Sequence, residues 1–492
     1  MLTYSFENYR DRLSSSAKKQ SLYFQLYECI RADILNGTIA PNEKLPSKRA
    51  LAIHLGISTI TVENAYAKLS DEGYVYSLAK KGFFASDILV ASQVKNEKDI
   101  TPFAQKNKSL HEKKTRPVPD NTIHLSATYT QPALFPFATW SRLVRRVLSE
   151  RAEDIMRVSP PGGVEELRTA IANHLYEFRG MRVQPEQIVV GAGTEYLYSL
   201  IIQLLGYKNT FAVEDPGYSK IAQVYDLCNV RCVPVALDSQ GMCIDGLDAS
   251  GATIAHISPS HHFPTGRTTS IGRRYELLGW AAGAPNRYII EDDYDAEFRL
   301  NGRIIPTLQS IDTIDRVIYL NTFTKTLSPT IRISYLVLPL SLTEQFYSKL
   351  GFYSNTVPTM NQYTLAMFMG EGHFESHINR LRRRYRAQKD AAVSCIQRES
   401  AFQDSLILEA DAGLYFLLRL HTKKSDAELK AAALRRKLHI SFLSEFYAQK
   451  DNVLLDEAAH TVIVNYASLL PDAIEKAIKK LAQALKASSR LP

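Results

Sequence analysis

Apolar residues near the start of the chain recur every four positions, at Leu22, Leu26, Ile30 and Ile34. This spacing predicts a helix with one apolar face, which ends at Gly37. Two more helical segments follow, and a glycine separates them. A helix, a short glycine turn and another helix in this order are typical of a helix-turn-helix unit.

The two helices of this unit are predicted from their caps and their apolar positions. Ser47 and Ser58 precede them as favourable N-caps. The inward-facing positions are Ala50, Leu51 and Leu55 in the first of the two and Val62, Ala65 and Leu69 in the second. The residues that follow predict a hairpin with Lys80, Lys81 and Gly82 at its tip, which is the form of a wing.

Residues 18–86 are therefore interpreted as a winged helix domain, which places the start of its last helix in the DNA major groove. Hydroxyls and an aliphatic side chain there contact base edges or phosphates, and nearby lysines and arginines contact phosphates. The candidate DNA-binding residues are Ser58, Thr59, Ile60, Thr61, Lys48, Arg49, Lys80 and Lys81. A small helical interaction domain is the alternative, because nine Lys/Arg against six Asp/Glu in residues 18–85 is a small basic excess.

The next segment, residues 87–120, has no apolar periodicity and is rich in lysine, so it is predicted to be a flexible linker. From residue 121 onward, helical and strand-like segments alternate, as in an α/β fold. A smaller C-terminal subdomain is expected over roughly residues 390–492 of this region.

Lys325 lies between two apolar segments that predict buried strands. A lysine held at a strand end in apolar surroundings loses stabilisation of its charged form, so its amine becomes able to attack a carbonyl. The hydroxyls of Thr322 and Thr324 and the guanidinium of Arg332 are placed to hold a phosphate beside it. This combination suits a Schiff base with pyridoxal 5'-phosphate (PLP). A surface loop with an ordinary lysine is the alternative.

Another apolar strand is predicted over residues 288–295, and it ends in carboxylates and a phenol. Because strand side chains alternate between faces, Asp292 and Tyr294 are predicted to point the same way. PLP requires a carboxylate at its pyridine nitrogen and accepts a phenol near its ring oxygen. An acidic loop that binds a metal is the alternative, but an Asp-x-Tyr motif before the lysine favours the cofactor.

A strand that runs into a glycine turn and a helix precedes both motifs. The free N–H groups at the start of a helix form a phosphate site. Gly193, Thr194 and Glu195 are the candidate contacts at this helix start. Together with the lysine and the carboxylate, they complete a set of residues for one phosphorylated ring.

Composition changes this picture little. The chain has 492 residues, of which 45% are hydrophobic and 22% charged, and its formal net charge is +8, which permits a polyanionic partner. No apolar run is long enough to cross a membrane, and the N-terminus lacks the apolar core of a signal peptide, so a cytoplasmic location is expected. The five cysteines form no zinc-type cluster, and no metal site is predicted.

The motifs of both regions resemble known families. Leu-Tyr-x-Gln-Leu-Tyr, Lys-Leu-Pro-Ser-Lys-Arg-x-Leu-Ala and Glu-Gly-Tyr-Val are similar to the GntR-family winged helix. Asp-x-Tyr followed by Thr-Lys-Thr-Leu-Ser-Pro is similar to the fold-type I PLP enzymes. Together they resemble the MocR/GabR-type regulators. The expected fold is multidomain, with an N-terminal winged helix-turn-helix (α+β) and a C-terminal α/β domain of the fold-type I PLP-dependent transferase type.

The resemblance implies PLP on Lys325, head-to-tail homodimers, double-stranded operator DNA as a partner, and transcription controlled by an effector. In this superfamily an aromatic residue stacks on the pyridine ring, and Tyr218 matches that place. Three departures are visible. Thr59 stands where the GntR family usually has a long polar residue such as arginine, and Lys80, Lys81 and Gly82 stand where it usually has a Gly-x-Gly wing. Phe263 stands where aminotransferases usually keep an asparagine.

A late strand bears on the choice between an enzyme and a sensor. Aminotransferases that this chain resembles clamp the substrate carboxylate with an arginine two residues before an asparagine, and Ile463 stands at that position before Asn465. Without a bidentate pair between an arginine and its carboxylate, a bound amino acid is poorly oriented for proton transfer. The rate of turnover then falls far more than the binding affinity. Lys220 is the candidate for a substitute cation toward a substrate or effector.

The sequence therefore predicts a DNA-binding transcriptional regulator that senses PLP or an amino-compound effector through Schiff-base chemistry at Lys325, with weak or absent transaminase turnover. The alternative is an active PLP-dependent aminotransferase with a DNA-binding autoregulatory head. A winged helix on a scaffold that has lost PLP fits less well, because every expected cofactor residue is present. His261 and His262 are expected to border the cofactor or to serve the structure.

Overall fold

The computed structural model describes residues 21–88, 122–125, 131–300, 305–410, 413–448 and 458–486. The chain divides into two compact units, Met1–Pro117 and Val118–Pro492, and each is described by itself. Apart from residues 87 and 88, the predicted linker lies outside the described residues. Among the described helices, none is both long enough and apolar enough to span a membrane.

Within residues 21–88, the first unit contains three helices and a hairpin. Its elements are α1 (Leu22–Leu35), α2 (Lys48–Leu55), α3 (Thr59–Asp71), β1 (Val75–Leu78) and β2 (Gly82–Ala85). The two strands pair antiparallel. This order and pairing confirm the predicted winged helix.

The apolar face of each helix in this unit packs into one core, with two differences from the predicted positions. Leu22 is 49% exposed, because it lies in the first turn of α1, at the edge of that core. Ala50 is exposed, and Ala52 is buried with Leu51 and Leu55 instead. On a helix, Ala52 lies one position from Leu51 and three from Leu55, whereas Ala50 falls outside that face.

Both predicted N-caps form. Ser47 Oγ accepts a hydrogen bond from the backbone N–H of Ala50, at 3.2 Å, and Ser58 Oγ accepts one from Thr61 N–H, at 3.1 Å. Gly56 has a φ of 67°, the left-handed conformation that ends α2. These caps fix the start of α3, which is the segment that a winged helix presents to DNA.

The second unit is an α/β fold with a mixed sheet. Its strands are β3 (Ile123–His124), β4 (Ile188–Gly191), β5 (Thr210–Asp215), β6 (Arg231–Ala236), β7 (Ile254–Ile257), β8 (Tyr288–Asp292), β9 (Val317–Thr322), β10 (Ser334–Val337), β11 (Leu406–Leu408), β12 (Phe416–Arg419), β13 (Leu438–His439) and β14 (Thr461–Val464). Within the described residues, seven of them form one sheet in the order β4-β10-β9-β8-β7-β5-β6. In this sheet β10 alone runs antiparallel to its neighbours.

Helices connect and cover these strands. They are α4 (Phe137–Glu150), α5 (Ala152–Ile155), α6 (Glu165–Arg179), α7 (Thr194–Leu205), α8 (Ser219–Leu227), α9 (Ile244–Ala249), α10 (Ile271–Ala282), α11 (Leu308–Ile311), α12 (Leu340–Leu350), α13 (Thr359–Gly370), α14 (His373–Arg398), α15 (Asp426–Arg435) and α16 (Pro471–Lys486). Neighbouring residues of one strand pack into different cores. Ile290 and Ile318 pack with α7, whereas Ile289 and Val317 pack with α10. The central strands are thus covered on both faces, which explains their continuous apolar sequence.

The C-terminal part contains a second, smaller sheet in the order β11-β12-β14, and β13 pairs separately with β3. The subdomain boundary expected near residue 390 falls inside α14, a helix of 26 residues. The long helix therefore belongs to both parts of the second unit. The buried positions keep a helical spacing on both sides of residue 390, from Leu381 and Tyr385 to Ala392 and Ile396, so the sequence itself contained a signal for this continuity.

Five strands of the large sheet end at the same edge, and the candidate residues lie at or just after these strand ends. Parallel strands β4, β5, β7, β8 and β9 end there, at Gly191, Asp215, Ile257, Asp292 and Thr322. Ligands of open α/β sheets bind outside the carboxyl ends of the strands. The residues that follow these five ends are therefore expected to form one site.

The core of the first unit supplies a prediction. Leu69 is fully buried between α3 and the rest of this unit. Leu69→Ala should destabilise the unit by about 2–5 kcal/mol, because it removes buried methyl groups and leaves a cavity. Hydrogen exchange of the α1–α3 amides in the full chain measures this loss locally. Ile53→Ala, at a position 83% exposed, should change protection little, and equal losses in the two variants would contradict this account.

Candidate functional site

A cavity of about 820 Å³ lies at this carboxyl edge. The sequence-predicted residues that line it are Thr194, Glu195, Tyr218, Lys220, Asp292, Tyr294, Thr322, Thr324, Lys325 and Arg332. Gly193 lies directly beside the Arg332 guanidinium. The fold therefore brings together the whole set of candidate residues in the second unit.

Lys325 lies in the turn that follows β9 and lines the cavity. Burial lowers the pKa of its amine, and the nearby carboxylate of Asp295 offsets part of this effect. Within the described part of the chain, its Nζ forms no ion pair or hydrogen bond. A desolvated amine without a counter-ion is a good nucleophile toward a carbonyl compound.

Asp292 ends β8 and is buried in the wall of the cavity. Its Oδ2 accepts a hydrogen bond from the Tyr198 hydroxyl, at 2.7 Å, and lies 3.5 Å from His256 Nε2. Its Oδ1 is buried and has no hydrogen-bond partner among the described residues. A buried carboxylate with one oxygen unsatisfied is suited to a ligand N–H group.

Sequence reasoning missed the residues that hold Asp292. The Tyr225 hydroxyl lies 2.6 Å from His256 Nδ1. His256 Nε2 lies 3.5 Å from Asp292 Oδ2 and has no hydrogen-bond partner among the described residues. One signal was available: His256 is the one polar residue of β7 (Ile254–Ile257). A histidine in an otherwise apolar, fully buried strand requires partners.

Tyr294 and Asp292 both line the cavity, but not for the predicted reason. Strand β8 ends at Asp292, so the alternation of a strand does not extend to Tyr294. Burial raises the pKa of Tyr294 well above its usual value, and the phenol stays protonated. Its hydroxyl lies 3.3 Å from His261 Nδ1, which also lies 2.7 Å from Asp295 Oδ2. His261 thus positions two cavity residues.

The glycine turn forms a compact cationic corner. Gly193, with a φ of 98°, caps α7, and a Cβ at this position would overlap the Arg332 guanidinium. Arg332 itself has a left-handed φ of 53°. Its Nη2 lies 2.6 Å from Glu195 Oε2, and the other carboxylate oxygen of Glu195 pairs with Lys220.

The hydroxyls near Lys325 are linked to one another. Thr322 Oγ1 donates to Thr324 Oγ1, at 2.8 Å, and accepts from Ser334 Oγ, at 2.8 Å. Ser334 is a neighbour that the sequence interpretation did not include. The register of β9 and β10 places it opposite Thr322.

The far wall of the cavity is apolar. Ile463, on β14, lines it and is 2% exposed. The ring of Phe263 lies 5.4 Å from that of Tyr415 and 5.2 Å from that of Phe446. Tyr218 is 48% exposed, and its ring meets Phe263 edge-on at 5.9 Å.

Two polar residues of the cavity have partners within the protein. Lys220, predicted as a cation for a substrate or effector, lines the cavity and is paired with Glu195. His262 lines the cavity wall, where its Nδ1 contacts Thr265 Oγ1 at 2.7 Å. Burial lowers the pKa of His262 to about 3, so the ring is neutral.

Some candidate DNA-binding residues of the first unit are exposed, and others already have partners within the protein. Thr59, Ile60, Arg49 and Lys81 are exposed. Lys48 is paired with Glu63, at 2.7 Å. The hydroxyls of Ser58 and Thr61 lie 2.9 Å apart in the α3 cap, and Lys80 adopts a left-handed φ of 63° at the wing tip.

Comparisons with known proteins define the class of protein to which this fold and site belong. Residues 22–85 match the family model of bacterial regulatory proteins of the gntR family, and residues 131–481 match aminotransferase class I and II. The chain belongs to both families and is therefore a DNA-binding transcriptional regulator with an aminotransferase-like domain of the MocR type. Aminotransferases of this class depend on PLP. The winged helix and the α/β transferase fold predicted from the sequence are confirmed.

Relatives of full length share this architecture. The HTH-type transcriptional regulator YdeL of Bacillus subtilis is 34% identical over 94% of this chain and 97% of its own. The probable rhizopine catabolism regulatory protein MocR of Rhizobium meliloti is 29% identical over 96% of each chain. The pyridoxine biosynthesis regulator PdxR of Corynebacterium glutamicum is 29% identical over 87% of this chain and 89% of its own.

Solved structures support the fold of the second unit. The multiple substrate aminotransferase of Thermococcus profundus has a TM-score of 0.65 at 21% identity, over 80% of this chain and 97% of its own. The α-aminoadipate aminotransferase LysN of Thermus thermophilus has a TM-score of 0.64 at 24% identity, over 77% and 96%. At these identities the likeness establishes the fold alone.

The lowered pKa of Lys325 is directly testable. A group with a lowered pKa loses its proton at lower pH, so Lys325 should be acetylated by acetic anhydride at a lower pH than the exposed Lys208. Asp295→Asn removes the carboxylate that raises this pKa, and the labelling midpoint should move further down. Peptide mass spectrometry across a pH series measures both residues in one digest. A midpoint for Lys325 at or above that of Lys208 would contradict the desolvated site.

Proposed function

We propose that this regulator binds PLP at Lys325 and uses its occupancy, or its reaction with a primary amine, to control DNA binding. One observation carries the proposal. The desolvated amine of the half-buried Lys325 and the half-satisfied carboxylate of Asp292 line the same cavity at the carboxyl edge of the sheet. A nucleophilic amine and an anion for a ring nitrogen are the two groups that PLP requires.

The other residues of the cavity fit the same molecule. Asp292 Oδ1 would accept a hydrogen bond from the pyridine nitrogen, and the Tyr294 hydroxyl would lie near the ring oxygen. The N–H groups of Thr194 and Glu195 at the start of α7, together with Arg332, Thr322 and Thr324, would hold the phosphate. Gly193 supports this, because any larger residue would displace Arg332. When bound, PLP supplies an aldehyde that condenses with primary amines.

The apolar wall favours sensing over turnover. Aminotransferases that this chain resembles place the arginine of their carboxylate clamp two residues before an asparagine, and β14 presents Ile463 at that position in the cavity wall instead. The neighbouring rings of Phe263, Tyr415 and Phe446 provide packing and no charge. An amino acid would thus enter without the contact that orients its Cα–H bond for proton transfer. An active aminotransferase with an autoregulatory head remains the second candidate, because Lys325 and Asp292 also suffice to begin that chemistry.

Two similar proteins support a connection with PLP. PdxR is named for the regulation of pyridoxine biosynthesis, and LysN was solved with a phosphopyridoxyl-leucine ligand. By analogy with the family, this regulator would act in the cytoplasm as a head-to-tail homodimer on double-stranded operator DNA. The exposed Thr59, Ile60, Arg49 and Lys81 would contact that DNA.

The regulatory role is tested by measuring DNA binding with and without PLP. Fluorescence anisotropy with the DNA upstream of the protein's own gene should show an affinity that PLP changes about fivefold or more, the usual size of allosteric coupling. Lys325→Ala should abolish the change, because the amine that captures the aldehyde is gone. Lys208→Ala, an exposed lysine outside the cavity, should retain it. An unchanged response in Lys325→Ala, or none in the wild type, would contradict the proposal.

The role of the apolar wall is tested by returning a cation to it. Ile463→Arg should raise the rate at which the PLP-loaded protein reacts with L-amino acids, relative to benzylamine, about tenfold or more, because a bidentate carboxylate contact becomes available. Stopped-flow absorbance measures both rates, and their ratio removes any general loss of folded protein. Ile463→Met serves as the volume-matched control. An unchanged ratio in Ile463→Arg would show that orientation by this strand is not what limits turnover.

A further inference from the structure

We propose that Glu195 competes with the PLP phosphate for the cationic corner of the cavity and thereby sets the PLP concentration at which the regulator responds. This inference rests on the proposed function and deepens it. It assigns to the Glu195 side chain a role opposite to that of its backbone N–H group, which would help to bind the phosphate.

The competition follows from the contacts of one carboxylate. Glu195 Oε2 lies 2.6 Å from Arg332 Nη2, and Glu195 Oε1 is paired with Lys220 Nζ. Both oxygens therefore contact the two cations of this corner. All three side chains and Thr194 line the same cavity.

The Arg332 guanidinium lies where a phosphate at the start of α7 would contact it. It packs on Gly193, at the start of α7, where the free N–H groups of the helix point. The Arg332 backbone adopts the left-handed conformation between the turn at residues 329–331 and strand β10. A phosphate bound at this helix start would therefore meet the same guanidinium that Glu195 holds.

The charges oppose simultaneous occupancy. A phosphate group brings nearly two negative charges, and Glu195 has a lowered pKa because of Lys220 and Arg332, so it is ionised at neutral pH. Two anions within one pair of cations repel each other. A bound phosphate must therefore either displace the Glu195 carboxylate from these cations or lie beside it. Both outcomes weaken PLP binding.

A purely structural role is the competing explanation. An acidic residue in the first turn of a helix interacts favourably with the helix dipole, and Glu195 is in the first turn of α7. In that case its loss would destabilise α7 and weaken PLP binding. The two explanations thus predict changes of opposite sign in PLP affinity.

The test compares the wild type, Glu195→Gln and Glu344→Gln, the last being an exposed glutamate of α12 outside the cavity. Each full chain is freed of PLP and titrated with PLP, with unphosphorylated pyridoxal and with inorganic phosphate, by absorbance and by calorimetry. Glu195→Gln keeps the side-chain shape and removes the charge. Glu195→Ala is measured beside it, and thermal unfolding reports on the fold of each variant.

We expect Glu195→Gln and Glu195→Ala to bind PLP and inorganic phosphate about tenfold more tightly than the wild type, a difference of about 1.4 kcal/mol. Affinity for pyridoxal should not change, and Glu344→Gln should match the wild type. Unchanged or weaker PLP binding in Glu195→Gln, or an equal gain for pyridoxal, would overturn the role of Glu195. If no variant binds PLP, the proposed function fails, and the inorganic phosphate series still decides whether Glu195 guards the anion site.

Discussion

The desolvation of one amine is the constraint on which the rest of the site depends. Lys325 is placed beyond the end of a central strand, where both faces of the sheet are covered by helices. Its charged form is therefore poorly solvated, and its pKa falls. The same sheet edge brings Asp292 and the start of α7 into the same cavity, so a desolvated amine, a carboxylate and the N-terminus of a helix are held by one scaffold.

Much of this arrangement could be predicted from the sequence, because the required signals are local. The caps Ser47 and Ser58 and the apolar strands around Lys325 depend on neighbouring residues only. Contacts between distant segments could not be predicted. The support of Asp292 by Tyr198 and the pairing of Lys220 with Glu195 join residues 94 and 25 positions apart, and no local pattern specifies which polar groups will meet.

Two features that distinguish this site from an enzyme active site are both consistent with a sensor. Ile463 removes the charge that would orient an amino acid, and Glu195 places a carboxylate on the cations that would hold a phosphate. By our proposals, the first would lower turnover, and the second would lower occupancy at a given PLP concentration. A regulator benefits from both, since a sensor must release its signal and must not consume it.

A crystal structure of the full chain grown with PLP tests the central claim most directly. The account predicts continuous electron density from Lys325 Nζ to the ligand, with the ring nitrogen beside Asp292 Oδ1 and the phosphate at Thr194 and Arg332. PLP density elsewhere, or a Lys325 amine turned away from a ligand seated in the cavity, would contradict it.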